Sequence, residues 1–223
     1  GHMLMESFAR LAVFFSTDLP VLFSSLNMTQ NAQFWQFVAA TGLPADRIIV
    51  VDRPVVVETL IVPAPDFRIR SSIGIAFVRA FEALGHQVGA REKIVQNSNR
   101  VPGYLSRSRI AQTGRYYFGE TLIEAVLTDH GHDILFLESL GLTQQIVEVL
   151  TRPRLTGFWG TAFHHLLFAH RPKTTSYLTT RWINPNFRLV ESLKTNTTSQ
   201  VVVEAAANAS VRFESGPFLL SRA

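Results

Sequence analysis

The chain has 223 residues, 47% of them hydrophobic and 17% charged; that apolar fraction excludes a disordered chain and supplies a core for one large domain or two small ones. The formal charge is +4, without a block of five or more Lys or Arg, which suits an anionic small ligand or an anionic membrane surface and argues against nucleic acid, for which no motif is present. There are no cysteines, so disulfides and thiolate metal sites are ruled out, and a cytoplasmic setting is the simpler expectation.

Gly1-His2-Met3 has the look of a cloning remnant and is set aside. LMESFARLAVFF (4–15) is apolar but broken by Glu6 and Arg10. It falls short of the roughly 20 apolar residues of a membrane span, and it lacks the basic start and cleavage site of a signal peptide. It predicts a helix packed on the domain; a helix lying on a membrane surface is the other reading. PVLFSSL (20–26) predicts a strand that runs into a loop. In NAQFWQFVAATG (31–42), Phe34, Phe37, Val38 and Thr41 recur at helical spacing and Gly42 stands where a helix would close. A turn at Pro44 leads into the apolar run Ile48 to Val51, with Asp52 at its carboxyl end. VVVETLIVPAP (55–65) predicts a strand pair or one bent strand, stopped by Pro63 and Pro65. SSIGIAFVRAFEALG (71–85) predicts a helix with serine caps, closed by Gly85. HQVGAREKIVQNSNR (86–100) turns polar and reads as a linker or crossover between two halves.

The pattern then restarts. PGYLSRSR (102–109) predicts a strand and a basic loop. YYFGETLIEAVLTDHG (116–131) predicts a helix whose apolar stripe is Leu122, Ile123, Val126 and Leu127, closed by Gly131. HDILFLE (132–138) predicts a short strand and SLGLTQQIVEVLT (139–151) a helix. RPRLTGFWG (152–160) predicts a strand ending in a turn, and TAFHHLLFAH (161–170) a helix. TTSYLTT (174–180) predicts a strand. NPNFRLVESLKT (184–195) predicts a helix with Asn184 as cap and Pro185 as first residue, and SQVVVEAA (199–206) a last strand. Strands alternating with helices predict an α/β protein with a Rossmann-like, doubly wound parallel sheet covered on both faces. The boundary falls near residue 97: a reduced N-terminal α/β half over 1–97, and a near-complete doubly wound unit over 98–223.

In an open parallel sheet, ligands bind outside the carboxyl ends of the strands, beside helix N-termini. Here those ends lead to Arg107, Arg109 and Arg115; to Trp159, Gly160 and Thr161; and to Thr179, Thr180 and Arg181. Guanidinium forks and the free N–H groups of a helix start both favour phosphate oxygens, so this rim predicts an anion site suited to a phosphate or diphosphate. Solvated arginines and a plain turn glycine are the structural alternative. His164 and His165 are neighbours, about 100° apart around a helix, whereas a helical metal pair needs a spacing of three or four. His130 and His132, with Asp129 and Asp133, fall at the amino end of a strand, on the opposite rim. No metal is expected at either place. Glycine-rich P-loops, nucleophile elbows and paired acidic metal motifs are absent from the sequence.

The order of YLSR (104–107), a second arginine at 115, Gly119-Glu120 opening a helix, LGLTQQI (140–146) and GFWGTAFHHLLF (157–168) resembles glycosyltransferase family 61, and LPADRIIVVDRPVVVETLIVPAP (43–65) resembles the family's segment before its linker. The resemblance covers about 40–206 and lies in the order of short motifs. It implies a GT-B-like pair of Rossmann-type domains with a reduced first domain, a sugar nucleotide in the cleft, and inverting transfer without a metal or other cofactor. Carried over, Arg107 and Arg115 would face the donor diphosphate, and Gly160 and Thr161 would form the tight loop and helix start beside it. Glu120 and Gln145 match the family's acidic and amide positions as loop braces. The chain also departs from the pattern. Trp159 replaces the loop histidine, His165 the asparagine near the loop's end, Gly119 the asparagine before Glu120, and Tyr177 a glutamate found after the next strand. Inverting transfer needs a base for the acceptor hydroxyl; His165 and His164 are the candidates, ahead of Asp52 and Glu58. The function implied is transfer of a sugar from a nucleotide-sugar donor to a glycan or polysaccharide acceptor. A catalytically inactive or partner-dependent nucleotide- or glycan-binding protein is the alternative; an α/β phosphate-binding protein unrelated to sugars is a third. A membrane surface, a second copy or a partner protein completes the set of partners considered.

Overall fold

The computed structural model describes residues 3–24, 28–41, 43–94, 100–113, 117–179, 184–194, 196–202, 205–206 and 218–220. A π-helix, Met3–Ser7, and helix α1, Leu11–Ser16, precede strand β1, Val21–Ser24. Helix α2, Met28–Thr41, leads to β2, Ile48–Val51, which pairs with β1 in parallel. A short hairpin of β3, Phe67–Arg68, and β4, Ser72–Ile73, enters helix α3, Ile75–Arg91. The second half contains β5, Gly103–Leu105; β6, Tyr117–Phe118; α4, Glu120–Asp129; β7, Asp133–Leu135; α5, Leu142–Thr151; and β8, Arg154–Phe158. A 3-10 helix, Thr161–Phe168, then leads to β9, Thr174–Thr179; α6, Pro185–Leu193; and β10, Thr197–Val202. The short strands β11, Ala205–Ala206, and β12, Phe218–Leu220, join β6 in a small sheet. No helix among the described residues is long and apolar enough to cross a membrane.

The principal sheet has five strands in the order β7-β5-β8-β9-β10, every pair parallel. Strand side chains alternate between faces. Leu105, Leu135, Leu155 and Tyr177 share one face and pack with Val149 of α5, Phe163 and Leu166 of the 3-10 helix, and Phe187 of α6. Tyr104, Ser106 and Phe158 belong to the other face, where Tyr104 and Ser106 bond to residues of α4 and Phe158 stacks on Tyr117. Helices thus flank the sheet on both faces, as strand–helix alternation predicts, and the fold is Rossmann-like α/β. A second apolar cluster joins Phe8, Phe37, Phe77 and Phe81 to Ile146, Leu167, Phe168 and Val190, so apolar packing is continuous between the N-terminal helices and the layer over the sheet.

Local departures from the expected elements have identifiable causes. Residues 55–65 form no strand. Pro54, Pro63 and Pro65 lack N–H donors and no strand among the described residues pairs with the segment, so Val56, Leu60, Ile61 and Val62 stand exposed. Helix α3 is not capped by serine. Gly74 is its N-cap, and the carboxylate of Asp66 accepts from Phe77 N at 2.6 Å. Nor does α3 end at Gly85; it continues to Arg91, taking in residues expected to form a linker. Gly85 is instead a contact point, because a Cβ there would lie 1.9 Å from the carbonyl oxygen of Phe168. In α4 the expected apolar stripe is only half buried. Leu122 and Val126 are exposed, since Glu120 and Glu124 turn toward the sheet to bond with Tyr104 and Ser106. Gly42 and residues 95–99 lie outside the described residues.

Gly85→Ala tests the close approach, because alanine ordinarily stabilises a helix interior by about 0.5–1 kcal/mol. Here the added methyl group meets backbone, and a loss of roughly 1–3 kcal/mol is expected, read as a lower denaturation midpoint. A midpoint at or above that of the parent chain would contradict the contact.

Candidate functional site

Strand β5 is the first strand of the sheet unit. The chain passes from it to β7 on one side and returns across it to β8 on the other. At such a reversal of strand order, connecting segments leave in opposite directions and open a crevice at the carboxyl ends, the general ligand position in open α/β sheets. A cavity of about 610 Å³ occupies that place, reached by Leu105 at the end of β5 with Ser106 just beyond it, and by Phe158 at the end of β8 with Gly160 in the turn that follows. Arg107, Thr161, Gln145, Glu138 and His165 contribute its principal polar groups, and Leu4, Ile110 and Leu137 its remaining apolar ones.

The turn after β5 is held from below. Glu120, the first residue of α4, is 1% exposed; its Oε1 accepts from the Tyr104 hydroxyl at 2.9 Å and from Arg107 N at 3.0 Å. Burial raises the Glu120 carboxyl above its ordinary range, while the Arg107 N–H and the Tyr104 hydroxyl pull it back. The same burial, with Glu120 beside it, raises the Tyr104 hydroxyl. Gly119 takes φ +86° just before the helix, a backbone angle that favours glycine. Ser106 adds a second tie, donating to Glu124 while its Oγ accepts from Ser108 N.

From this fixed turn the Arg107 side chain crosses to the β8 side, where Nη1 donates to the Trp159 carbonyl at 3.3 Å. It lies over Gly160 so closely that a Cβ there would stand 3.2 Å from Nη1. Thr161 opens the 3-10 helix, whose first N–H groups have no intrahelical acceptor. The expected grouping of Arg107, Gly160 and Thr161 is therefore one wall of the cavity. Arg115 and the pair Thr180 and Arg181 lie outside the described residues. Arg109 is exposed and sits 3.6 Å over the Phe136 ring, away from that wall, and Thr179 is buried.

The two histidines separate. His164 stacks on Phe187 at 4.9 Å and belongs to the packed layer. His165 lines the cavity. Its Nδ1 is 3.0 Å from the Ala162 carbonyl, which can only accept, so Nδ1 carries the proton and Nε2 carries a lone pair. That Nε2 is buried without a hydrogen-bond partner among the described residues. Burial lowers the imidazole to about 4, against a partial opposing effect from the Ala162 bond, so the ring is neutral at pH 7. Gln145 braces the loop after β7, donating to the Leu140 carbonyl at 2.8 Å. Trp159 stacks on Tyr177 at 4.0 Å, and Tyr177 is 1% exposed, with its hydroxyl raised by burial and by the neighbouring Glu191. Both form the apolar backing of the wall rather than its surface. Asp52 and Glu58 are exposed and do not line the cavity. Among the described residues no three His, Asp or Glu side chains gather to hold a metal ion.

Glu138 and Leu4 are cavity residues that motif order did not single out. Glu138 follows the strand within HDILFLE and so occupies the same rim as Arg107, a position legible from the strand pattern. Leu4 comes from the far N-terminus, and no local pattern links it to the sheet. No protein-family model matches the chain, and no curated protein matches it.

The depressed His165 pKa fixes the sign of a pH effect. An unfolded histidine takes up a proton near pH 6.5, whereas the folded one resists until about 4. Its contribution is complete above pH 6.5 and declines as pH falls toward 4, on the order of 3 kcal/mol in total. His165→Asn keeps a donor for Ala162 and removes the titration. Melting curves between pH 7.5 and about 4.5 should fall less steeply for the variant; parallel pH profiles would show that His165 is not held neutral by burial.

Proposed function

We propose that the chain is a GT-B-like, inverting, metal-independent glycosyltransferase of polysaccharide or glycan assembly, which binds the diphosphate of a nucleotide sugar in the cavity at the β5–β8 crevice. The observation that carries this is the placement of Arg107 across Gly160 at the start of the Thr161 helix. A guanidinium fork and backbone N–H groups without an intrahelical acceptor converge on one side of the cavity. Such a wall stabilises diphosphate oxygens in a bound donor and, more strongly, the charge that develops on a departing nucleoside diphosphate. The motifs resembling glycosyltransferase family 61 supply this wall: YLSR gives Arg107, the Gly119-Glu120 pair holds its backbone, and GFWGTAFHHLLF gives Gly160, Thr161 and His165. In transfer, His165 Nε2 accepts the acceptor hydroxyl's proton as the hydroxyl oxygen attacks the anomeric carbon, and the bond from that carbon to the diphosphate oxygen breaks.

One observation favours the second reading, a protein of the same architecture that binds a nucleotide or glycan without transfer. A base is most effective when its pKa lies near the working pH, and burial holds His165 at about 4. A neutral imidazole of low basicity is a good hydrogen-bond acceptor and a weak proton acceptor.

Thermal-shift measurements with nucleoside diphosphates and their sugars test the common element. A ligand at 100 times its dissociation constant adds about 2.7 kcal/mol of stability, and the midpoint should rise. Arg107→Ala should weaken diphosphate binding by about 1.5–3 kcal/mol, the scale of a charged hydrogen bond. Unchanged affinity would remove Arg107 from the site. Release or transfer of the donor sugar by the wild-type chain separates an enzyme from a binder.

A further inference from the structure

VVVETLIV (55–62) is rich in β-branched residues, yet it pairs with no strand among the described residues. Val55, Val56, Val57, Leu60, Ile61 and Val62 are all exposed, Val56 completely. Single apolar residues on a surface need no explanation, whereas a contiguous group of this kind marks a contact surface. Both ends of the stretch are fixed to the body. Strand β2 ends at Val51. Beyond the far end, Arg10 Nε donates to the Pro63 carbonyl at 2.7 Å, and Asp66 N to the Ala9 carbonyl at 2.8 Å. The stretch between is an arm with two roots, and its backbone ladder groups are used in no sheet among the described residues.

The order of residues in the arm suits a second copy of itself. A two-fold axis through an antiparallel strand pair sets one residue opposite its own copy. With Thr59 on the axis, Val57 meets the partner's Ile61 and Val56 the partner's Val62, while Glu58 meets the partner's Leu60. Apolar residues thus face apolar residues, and the two threonines form a favourable cross-strand pair. Centring on Glu58 instead would set two carboxylates face to face, which is destabilising. The prolines fit the same register. When Thr59 is a non-hydrogen-bonded pair, the ladder N–H groups come from residues 56, 58, 60 and 62, none of them proline. Pro54 and Pro63 fall just outside, where the pairing stops. The arm bends at Glu58 and Thr59, and pairing straightens it there between its two roots. A bilayer suits the arm less well. It would draw the Glu58 carboxylate toward hydrocarbon with its apolar neighbours, and 55–62 carries no Lys or Arg to meet anionic lipid.

We propose that residues 56–62 form a two-fold antiparallel strand pair between two copies of the chain, with Thr59 on the axis. The pairing is independent of the ligand reading of the β5–β8 crevice. A standard interface takes about 800 Å² and some 20–30 residues from each partner. The arm is smaller, so the dimer is reversible, with a dissociation constant of roughly 1–100 µM.

The chain has no cysteine, so an introduced thiol reads the register directly. Thr59→Cys sets two Cα atoms about 4.5 Å apart across the axis, within disulfide range. Val56→Cys, also exposed, sets them roughly 20 Å apart, six residues along the strand. Under mild oxidation at equal concentration, Thr59→Cys should form covalent dimer at least about tenfold faster than Val56→Cys. In sedimentation, the wild-type chain should pass from one copy toward two between about 1 and 100 µM, and Ile61→Asp should stay monomeric. Ile61 is exposed, so dilute Ile61→Asp should melt with the parent chain. Leu122→Asp, at an exposed apolar residue of α4, should leave the dimer intact. A wild-type chain still monomeric at about 100 µM, a dimer that Ile61→Asp does not disturb, or equal cross-linking of the two cysteine variants would overturn the pairing. Flotation of monomeric chain with phosphatidylglycerol vesicles, abolished by Ile61→Asp, would overturn it too and assign the arm to a membrane.

Discussion

A single buried carboxylate sets the geometry of the crevice. Glu120 accepts at one oxygen from a strand side chain, Tyr104, and from the backbone of the turn beyond that strand, Arg107. Helix α4, strand β5 and the turn are thereby pinned together at one atom. Without that bond the Arg107 N–H and the Tyr104 hydroxyl would be left to find other partners in a low-dielectric space, at a cost of about 1–3 kcal/mol for each one left unsatisfied. The guanidinium then has a fixed root, and its reach to the Trp159 carbonyl is a property of the fold rather than of a mobile side chain. The same demand explains why α4 leaves Leu122 and Val126 in water: two glutamates on the inward face outweigh two apolar residues on the outward one.

Desolvation acts throughout the site. It raises Glu120 and lowers His165, both toward their neutral forms. Arg107 is half-buried at the cavity wall, where its guanidinium is the donor. The result is a fixed cation and a neutral imidazole in one cavity whose lining also includes the exposed Glu138 carboxylate. This asymmetry gives a bound ligand a direction as well as an affinity.

Sequence patterning conveyed the sheet unit well because each of its strands is followed by a helical or turn signal of its own, from GYL to the capped start at Asn184-Pro185. It also conveyed the carboxyl-end rim, since the residues after a strand must lie there whatever the strand order. The order itself, with β5 between β7 and β8, depends on long-range pairing that no local window contains. VVVETLIV misled for a related reason: β-branched residues fit a pleated sheet only where another strand offers hydrogen bonds, and the flanking prolines deny part of them. Gly85 was read as a helix end because glycine commonly closes helices, whereas here it serves proximity to a segment 83 residues away in the chain, at Phe168. His164 and His165, adjacent in sequence, acquire opposite surroundings from the tight 3-10 winding and from Phe187, which arrives from α6.

The contact of Gly85 with the Phe168 carbonyl has a mechanical consequence. Main chain rests on main chain there, with no side chain between them to change rotamer and absorb a displacement. The short helix beginning at Thr161 is thus propped at its far end by α3, as a beam is by a post. A shift of that post is passed along the beam to its near end, beside Gly160, without slack.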